Sequence, residues 1–210
     1  MKKITTVSAC VLTLLLAGSV NSAELSSTIG FTNDYRYHGI SQTAGDAALQ
    51  GSIDIAFDNG VYAGIWGSNV DFGDDANLEI DYYAGYAGSI NEAVAYDATL
   101  LYFQYPGYLG ADMDYAEIDF GLHFNDVSFL YTFTDNYANT SETSQYISVD
   151  YTYAVTETLG IALHAGHSFG NYWDSGLDIN AARWAFRPLP RASRLTSNDV
   201  WRRSVPSGRP

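Results

Sequence analysis

The segment AALQGSIDIAFDNGVYAGIWGSNVDF, residues 47–72, alternates between two kinds of side chain from its first residue to the turn. One face carries Ala47, Leu49, Gly51, Ile53, Ile55 and Phe57, and the other carries Ala48, Gln50, Ser52, Asp54, Ala56 and Asp58. A period of two is typical of a strand with one apolar and one polar face. Asp58, Asn59 and Gly60 tolerate the positive φ that a tight turn needs, so the segment predicts a β-hairpin.

Short polar turns recur along the chain and alternate strictly with longer polar connections. The turns lie at residues 58–60, 91–92, 125–126 and 156–157, and the longer connections lie at 37–46, 71–77, 104–114 and 135–143. The strands between them have about the 9 to 11 residues that cross a bilayer. This strict alternation is typical of hairpins that span a membrane, with turns on the periplasmic side and loops outside.

The first 23 residues have the pattern of a secretory signal peptide. Lys2 and Lys3 precede an apolar run, and small residues end the segment at Ala23. The apolar run is shorter than the roughly 20 residues that span hydrocarbon. Cys10, the only cysteine, lies within this segment. The exported chain is therefore expected to contain no disulfide and no cysteine-ligated metal.

The remaining composition indicates a class of protein. From residue 24 to residue 178 there are 23 acidic residues and one basic residue, Arg36. So acidic a segment is not expected to bind nucleic acid. No run of 18 apolar residues occurs, so no transmembrane helix is expected. Because only a closed barrel satisfies every strand backbone in lipid, we predict an all-β, antiparallel up-and-down transmembrane β-barrel in the outer membrane of a Gram-negative bacterium.

The predicted inner face is acidic. Its carboxylates are candidates for lining a passage, and they are Asp54, Glu79, Asp81, Glu117, Asp119 and Asp150. With almost no basic partner they should attract cations, and we expect Arg36 to pair with one of them near the outer mouth. They can equally be ordinary solvated residues, because side chains fill the interior of a barrel of about eight strands.

Aromatic residues near the predicted strand ends fit the girdles that flank a membrane-spanning barrel. We expect Phe57, Tyr62, Phe124 and Phe129 to take this role. The alternative is that they are strand-forming core residues of a soluble barrel.

No motif indicates catalysis or a cofactor. The chain has no G-x-S-x-G motif and no convergent serine, base and oxyanion hole, so we predict that it is not an enzyme. Asp71, Asp74, Asp75 and Glu79 could supply oxygen ligands for calcium, although a solvated acidic loop is the favoured interpretation. No metal site is assigned.

Three segments together resemble a known family. They are FTNDYRYHGISQT from residue 31, ALQGSIDIAFDNGVYAGIWGSNVDF and LEIDYYAGY. They resemble the TorF-type porin family of proteobacterial outer-membrane proteins, also called Gcw_chp, over residues 23–178. The motif positions are Asp34, Tyr35, Arg36, Gly39, Ile40, Ser41, Gln42, Thr43, Trp66, Gly67, Ser68 and Asn69. The resemblance implies a barrel of about twelve strands surrounded by outer-membrane lipid and inserted by the barrel-assembly machinery.

The end of the chain departs from this pattern. Residues 183–210 hold seven arginines, one aspartate and four of the five prolines. Proline cannot donate to a ladder and arginine is costly on a lipid face, so we predict a barrel domain over residues 24–180 and a basic tail over 181–210. About nine strands are legible, too few for the family. The tail is either out-of-frame or altered sequence that replaces the last strands, or a basic arm that binds lipopolysaccharide phosphates or anionic headgroups.

Two functions follow as expectations. The first is a porin-like passive channel for small solutes with a preference for cations. The second is a non-conducting structural or ligand-binding barrel whose loops, above all residues 38–46, act outside the cell. A soluble lipocalin-like barrel is a third alternative. The sequence indicates no oligomeric state.

Overall fold

The structure, a computed structural model, describes residues 23–154, 159–173 and 176–186. Ten antiparallel strands form one large sheet: β1 (Ala23–Thr32), β4 (Ala48–Phe57), β5 (Val61–Asn69), β6 (Leu78–Ser89), β7 (Val94–Gln104), β8 (Tyr115–Phe124), β9 (Val127–Thr134), β10 (Ser144–Ala154), β11 (Leu159–Phe169) and β12 (Gly176–Phe186). Two short strands, β2 (Arg36–Tyr37) and β3 (Ile40–Ser41), form a separate small hairpin. The predicted signal peptide, except Ala23, and the tail beyond residue 186 lie outside the described residues.

The large sheet has the predicted all-β, antiparallel up-and-down topology, because each strand pairs with the next large strand along the chain. The two faces of the sheet also differ as the alternation predicts. On β4, Ile53 is 62% exposed and the adjacent Asp54 is 6% exposed. On β8, Glu117 and Asp119 are buried while Phe120 is exposed. Apolar side chains therefore face outward and carboxylates face inward, the reverse of a water-soluble sheet.

The sheet curves strongly around its polar face. The β2–β3 hairpin contacts β6 through Tyr35, β8 through Tyr37 and β10 through His38. Strands β6 and β10 are four positions apart in the sheet, yet they face the same small hairpin. The polar face is therefore concave, as expected when strand twist accumulates across many strands.

The edges of the sheet correct two expectations. No ladder joins β1 to β12 within the described residues, so the closed cylinder predicted from the sequence is not formed there. The sheet also has a tenth strand, because β12 pairs with β11 and runs six residues past Asn180, into the segment assigned to the tail. Strand pairing depends on backbone N–H and C=O groups, which a change in side-chain composition does not remove. The first proline of the tail, Pro188, lies after the described end of β12. Because the number of antiparallel strands is even, the start of β1 and the end of β12 lie at the same end of the strands.

The structure also resolves β5, whose two faces are both apolar in sequence. Tyr62 and Trp66 are buried on the concave face, and Ile65 is exposed outside. Tyr62 was expected in an interfacial girdle, but its hydroxyl is hydrogen-bonded to Thr99 in the interior. The Tyr62 ring lies over Gly85, its direct partner on β6, where a Cβ atom would come within 2.5 Å of the hydroxyl. The ring thus needs a glycine opposite it, which sequence periodicity does not reveal.

Candidate functional site

The concave face gathers the carboxylates that the sequence singles out. Asp54, Glu79, Asp81, Glu117 and Asp119 are all buried there. Asp150 lies on the same face, but its side chain is 48% exposed and its Oδ1 atom lies 2.7 Å from Nδ1 of His164.

Neighbouring hydroxyl groups bond several of these carboxylates. Asp54 accepts hydrogen bonds from Ser52 and from the Tyr83 hydroxyl, and Thr132 donates to Asp119 over 2.7 Å. The interior is therefore a network of hydroxyl donors around acidic acceptors, and burial of such acceptors is tolerable only where they are bonded.

Two further carboxylates are bonded by the hairpin. The Tyr35 hydroxyl donates to Oε1 of Glu79 over 2.7 Å, and the Tyr37 hydroxyl donates to Oε1 of Glu117. Burial raises the pKa of both tyrosines well above the ordinary value, and the neighbouring Glu79 and Glu117 raise these pKa values further. The two phenols are therefore neutral donors at physiological pH. The carboxylates on the wall and the tyrosines on the hairpin form one site.

A second interior cluster was missed by the sequence analysis. Oδ1 of Asp97, on β7, lies 2.6 Å from Nε2 of His123, and Nδ1 of His123 lies 3.0 Å from Oγ of Ser128. The inward row of β7 also holds Leu101 and Phe103, which obscured its polar character. The alternation of side chains along β7 was the signal that could have revealed this cluster, because Asp97 lies on the opposite face from the apolar row that contains Tyr96.

Among the described residues, three buried carboxylate oxygens have no hydrogen-bond partner: Oδ1 of Asp81, Oδ2 of Asp97 and Oε2 of Glu117. Arg36 does not supply the missing charge. Its Nε atom lies 2.6 Å from Oδ2 of Asp34 on the hairpin itself, and its side chain is 42% exposed. The expected pair between Arg36 and an interior carboxylate is therefore wrong, because the charge at Asp34 is much nearer in the chain. Within the described ranges, the basic side chains that meet interior acids are His123, beside Asp97, and His164, beside Asp150.

The motif around residues 34–43 is the β2–β3 hairpin. Its tip is a two-residue turn in which His38 and Gly39 both have positive φ, 47° and 82°, as in a type I′ turn. Oδ1 of Asp34 accepts a hydrogen bond from Ser41 over 2.6 Å, which ties the two arms together. The backbone N–H of Tyr35 donates to Oγ1 of Thr43 over 3.2 Å. The polar residues of the motif therefore define the shape of the hairpin.

The hairpin folds inward onto the concave face, whereas the sequence interpretation treated residues 38–46 as a loop beyond the strands; their action outside the cell stays a prediction. The sequence interpretation took a polar connection to be a solvated one. Here the polar groups are satisfied within the hairpin, and the buried tyrosines Tyr35 and Tyr37 contact the concave face.

The second part of the motif, around residues 66–69, supports the hairpin and its base. The Trp66 ring packs edge-on against the Tyr35 ring, with centroids 5.4 Å apart. The Asn69 side chain accepts from Leu49 N–H over 2.8 Å and donates to the Ala47 carbonyl over 3.2 Å. The two parts of the motif, separated in sequence, thus meet in one structure.

His38 at the hairpin tip is enclosed by aromatic rings. It stacks on Tyr37 and on Tyr146 of β10, with centroid distances of 3.9 and 3.8 Å. Its Nδ1 atom has no hydrogen-bond partner. Burial, together with the nearby His164, lowers the pKa of His38 to about 3. The inserted tip therefore carries a neutral imidazole at physiological pH.

Acid should loosen the inserted hairpin. A released His38 has the ordinary pKa of 6.5, so below that pH the released form binds a proton that the inserted form does not, down to about pH 3. Insertion then loses up to about 1.4 kcal/mol per pH unit below 6.5. We expect hydrogen exchange of residues 34–46 to accelerate over this window more than intrinsic exchange does.

The control for this prediction is His38→Gln at the same pH values. The other ionisable groups that face the hairpin are His164, with its partner Asp150, and the carboxylates Glu79 and Glu117; they are present in both proteins, so only the difference between the proteins reports on His38. Equal acceleration in both proteins would contradict the prediction.

The acidic loop between β5 and β6 uses its carboxylates to accept backbone N–H groups. Asp71 accepts from Gly73, Asp74 from Ala76, and Asp75 from Leu109. Glu79, grouped with them in the sequence, is instead buried in the interior. Within the described ranges, no three His, Asp or Glu side chains are placed to hold a metal ion. No helix in those ranges has the length and apolarity to cross a membrane.

Fold and site together define a class: an antiparallel up-and-down sheet with an apolar outer face, an acidic concave face and one hairpin turned inward. The chain belongs to the Gcw_chp family, described as a bacterial protein of unknown function, whose family model matches residues 17–185. No curated protein and no solved structure matches the chain.

Proposed function

We propose that this protein is a porin-like barrel of the Gram-negative outer membrane that forms a passive passage for small solutes and prefers cations. The observation that carries the proposal is the inverted distribution of side chains. Ile29, Leu49, Ile53, Leu100 and Phe120 are exposed on the outer face, while carboxylates are buried on the inner face. In lipid the apolar face is solvated favourably, and the inner face remains polar.

The proposal includes the surroundings of the barrel. In this proposal a signal peptide exports the chain, the barrel-assembly machinery inserts it, and outer-membrane lipid covers the apolar face. The edges of β1 and β12 would be satisfied by barrel closure, because an unpaired strand edge costs several kcal/mol per backbone group in hydrocarbon. The sequence resemblance to TorF-type porins supports the same assignment.

Cation preference follows from the interior charges. Among the described side chains of the concave face, acids outnumber histidines, and three carboxylate oxygens lack any hydrogen bond. Rings of acidic side chains favour cations in channels. Small cations are therefore the solutes that this interior favours.

A conductance measurement tests the proposal. The folded protein is inserted into planar lipid bilayers, and the reversal potential is recorded across a potassium chloride gradient. We expect discrete current steps and a reversal potential on the cation-selective side. An anion-selective current would contradict the assignment, and a folded protein that passes no current would refute the open channel.

One observation favours a second function, a non-conducting structural or ligand-binding barrel. The β2–β3 hairpin lies within the concave face, and Tyr105, Tyr108 and Tyr137 from other connections pack against the same core. Such a covered interior suits a barrel that binds a ligand at its loop end. Absence of current from folded protein would favour this function.

A further inference from the structure

We propose that the β2–β3 hairpin is the constriction of the passage, so that the motif hairpin sets the current and the strength of cation preference. The inference rests on the proposed passage and goes beyond it, because it assigns the limiting dimension to one segment. The segment is defined as residues 33–47, between the end of β1 and the start of β4.

The hairpin lies against the concave face, where the passage would run. Tyr35 is 2% exposed and Tyr37 is 7% exposed, although both belong to a connection between two strands. Their hydroxyls reach β6 and β8, and the His38 ring reaches β10. Three strands that curve around one hairpin leave less open section where the hairpin lies. A constriction at this level follows from the geometry.

The hairpin is also anchored to the rest of the protein. The backbone N–H of Asp71 donates to the Gln42 carbonyl over 2.8 Å, and Thr43 pairs with Asp71 in a parallel bridge. The returning arm is thereby fixed to the connection between β5 and β6, and the tip is held by stacked rings. The hairpin is thus attached at both ends, as a permanent part of the passage must be.

The hydrogen bonds of the hairpin also determine which carboxylate oxygens are open to a passing cation. Each hairpin tyrosine engages one oxygen of a wall carboxylate, Glu79 or Glu117. Asp81 makes no such bond, and Oε2 of Glu117 also has no partner. A cation passing the hairpin therefore meets Asp81 and the free oxygen of Glu117, while the bonded oxygens attract it less. A donated hydrogen bond also favours the charged form of a carboxylate, so removing the two tyrosine hydroxyls should weaken the attraction of the passage for cations.

The decisive variant removes the hairpin without disturbing the sheet. Thr32 and Ala48 are direct partners at the end of the β1–β4 ladder, so an Asn-Gly turn can replace residues 33–47. We expect a several-fold rise in single-channel conductance. The control is Leu109→Ala, because Leu109 is apolar and 87% exposed on a connection outside the hairpin; this variant should conduct like the parent.

A second variant tests the chemistry while keeping the packing. In Tyr35→Phe/Tyr37→Phe the rings remain and the hydroxyls that favour the charged carboxylates are lost, so cation selectivity should fall with little change in conductance. The control is Tyr131→Phe, which removes a hydroxyl bonded to Gln145 on another part of the sheet. Folding of every variant is checked by circular dichroism and by heat-dependent gel mobility.

The outcomes separate the two proposals. A several-fold rise of the excised variant over a conducting parent supports the constriction, whereas a silent parent with a conducting excised variant refutes the open channel and makes the hairpin a plug instead. An equal, non-zero current from parent and excised variant overturns the constriction and leaves the porin-like passage standing. If both proteins fold and both are silent, the passage is refuted and the constriction with it.

Discussion

Gly60→Ala should destabilise the protein far more than Gly73→Ala, although both glycines have a positive φ, 91° and 81°. The left-handed conformation alone costs about 1 to 2 kcal/mol for an alanine. At Gly60 a Cβ atom would also lie 2.2 Å from the backbone oxygen of Ala87, whereas at Gly73 it would meet nothing within 4 Å. The two substitutions therefore share the backbone strain and differ in the contact.

The contact at Gly60 involves backbone that is already used. The Ala87 N–H donates to the Gly60 carbonyl over 2.9 Å, which joins the β4–β5 turn to β6. A methyl group there must push the turn away from β6 and break this bond. We expect Gly60→Ala to lower the free energy of unfolding by about 3 kcal/mol or more, against about 1 kcal/mol for Gly73→Ala.

Urea unfolding of the two variants in detergent micelles, followed by tyrosine and tryptophan fluorescence, measures this difference. Equal losses in the two variants would show that the turn does not pack on β6 as described. A loss confined to Gly73→Ala would have the same meaning.

Much of the sheet could be predicted from sequence because its physics is local. On β4, β6 and β8 one face is acidic or small and the other is apolar, so a period of two is visible in the residues themselves. On β5 and β7 both faces contain apolar side chains, as Trp66 and Leu101 show. Periodicity could not distinguish the inner from the outer face of these strands, because the inward position of an aromatic side chain depends on its contacts with other strands.

The parts that sequence reasoning missed depend on distant contacts. The inward turn of the β2–β3 hairpin rests on bonds from Tyr35 to Glu79 and from Tyr37 to Glu117, which join residues 44 and 80 positions apart. No local rule distinguishes such a polar hairpin from a solvated loop. For Arg36 a local contact decides instead: it pairs with the nearby carboxylate of Asp34 and not, as the sequence had led us to expect, with an interior carboxylate.

The tenth strand was missed for another reason. Composition changes near residue 182, and that change was taken to mark the end of the barrel. Strand β12 nevertheless pairs with β11 as far as Phe186. Backbone pairing tolerates a change in composition, because every residue except proline carries the same backbone donor and acceptor.

The central claim is that the exposed apolar face is in contact with lipid, and nitroxide accessibility tests it most directly. Single cysteines replace Ile53, Leu100, Phe120 and Ile147 on the outer face, with Cys10 changed to serine. Leu109 is the matched control, because it is equally apolar and is 87% exposed on a connection between strands. In vesicles, labels at the first four positions should collide with oxygen and be protected from a water-soluble nickel complex, while the label at Leu109 collides with nickel. Outer-face labels as accessible to nickel as the label at Leu109 would contradict the claim.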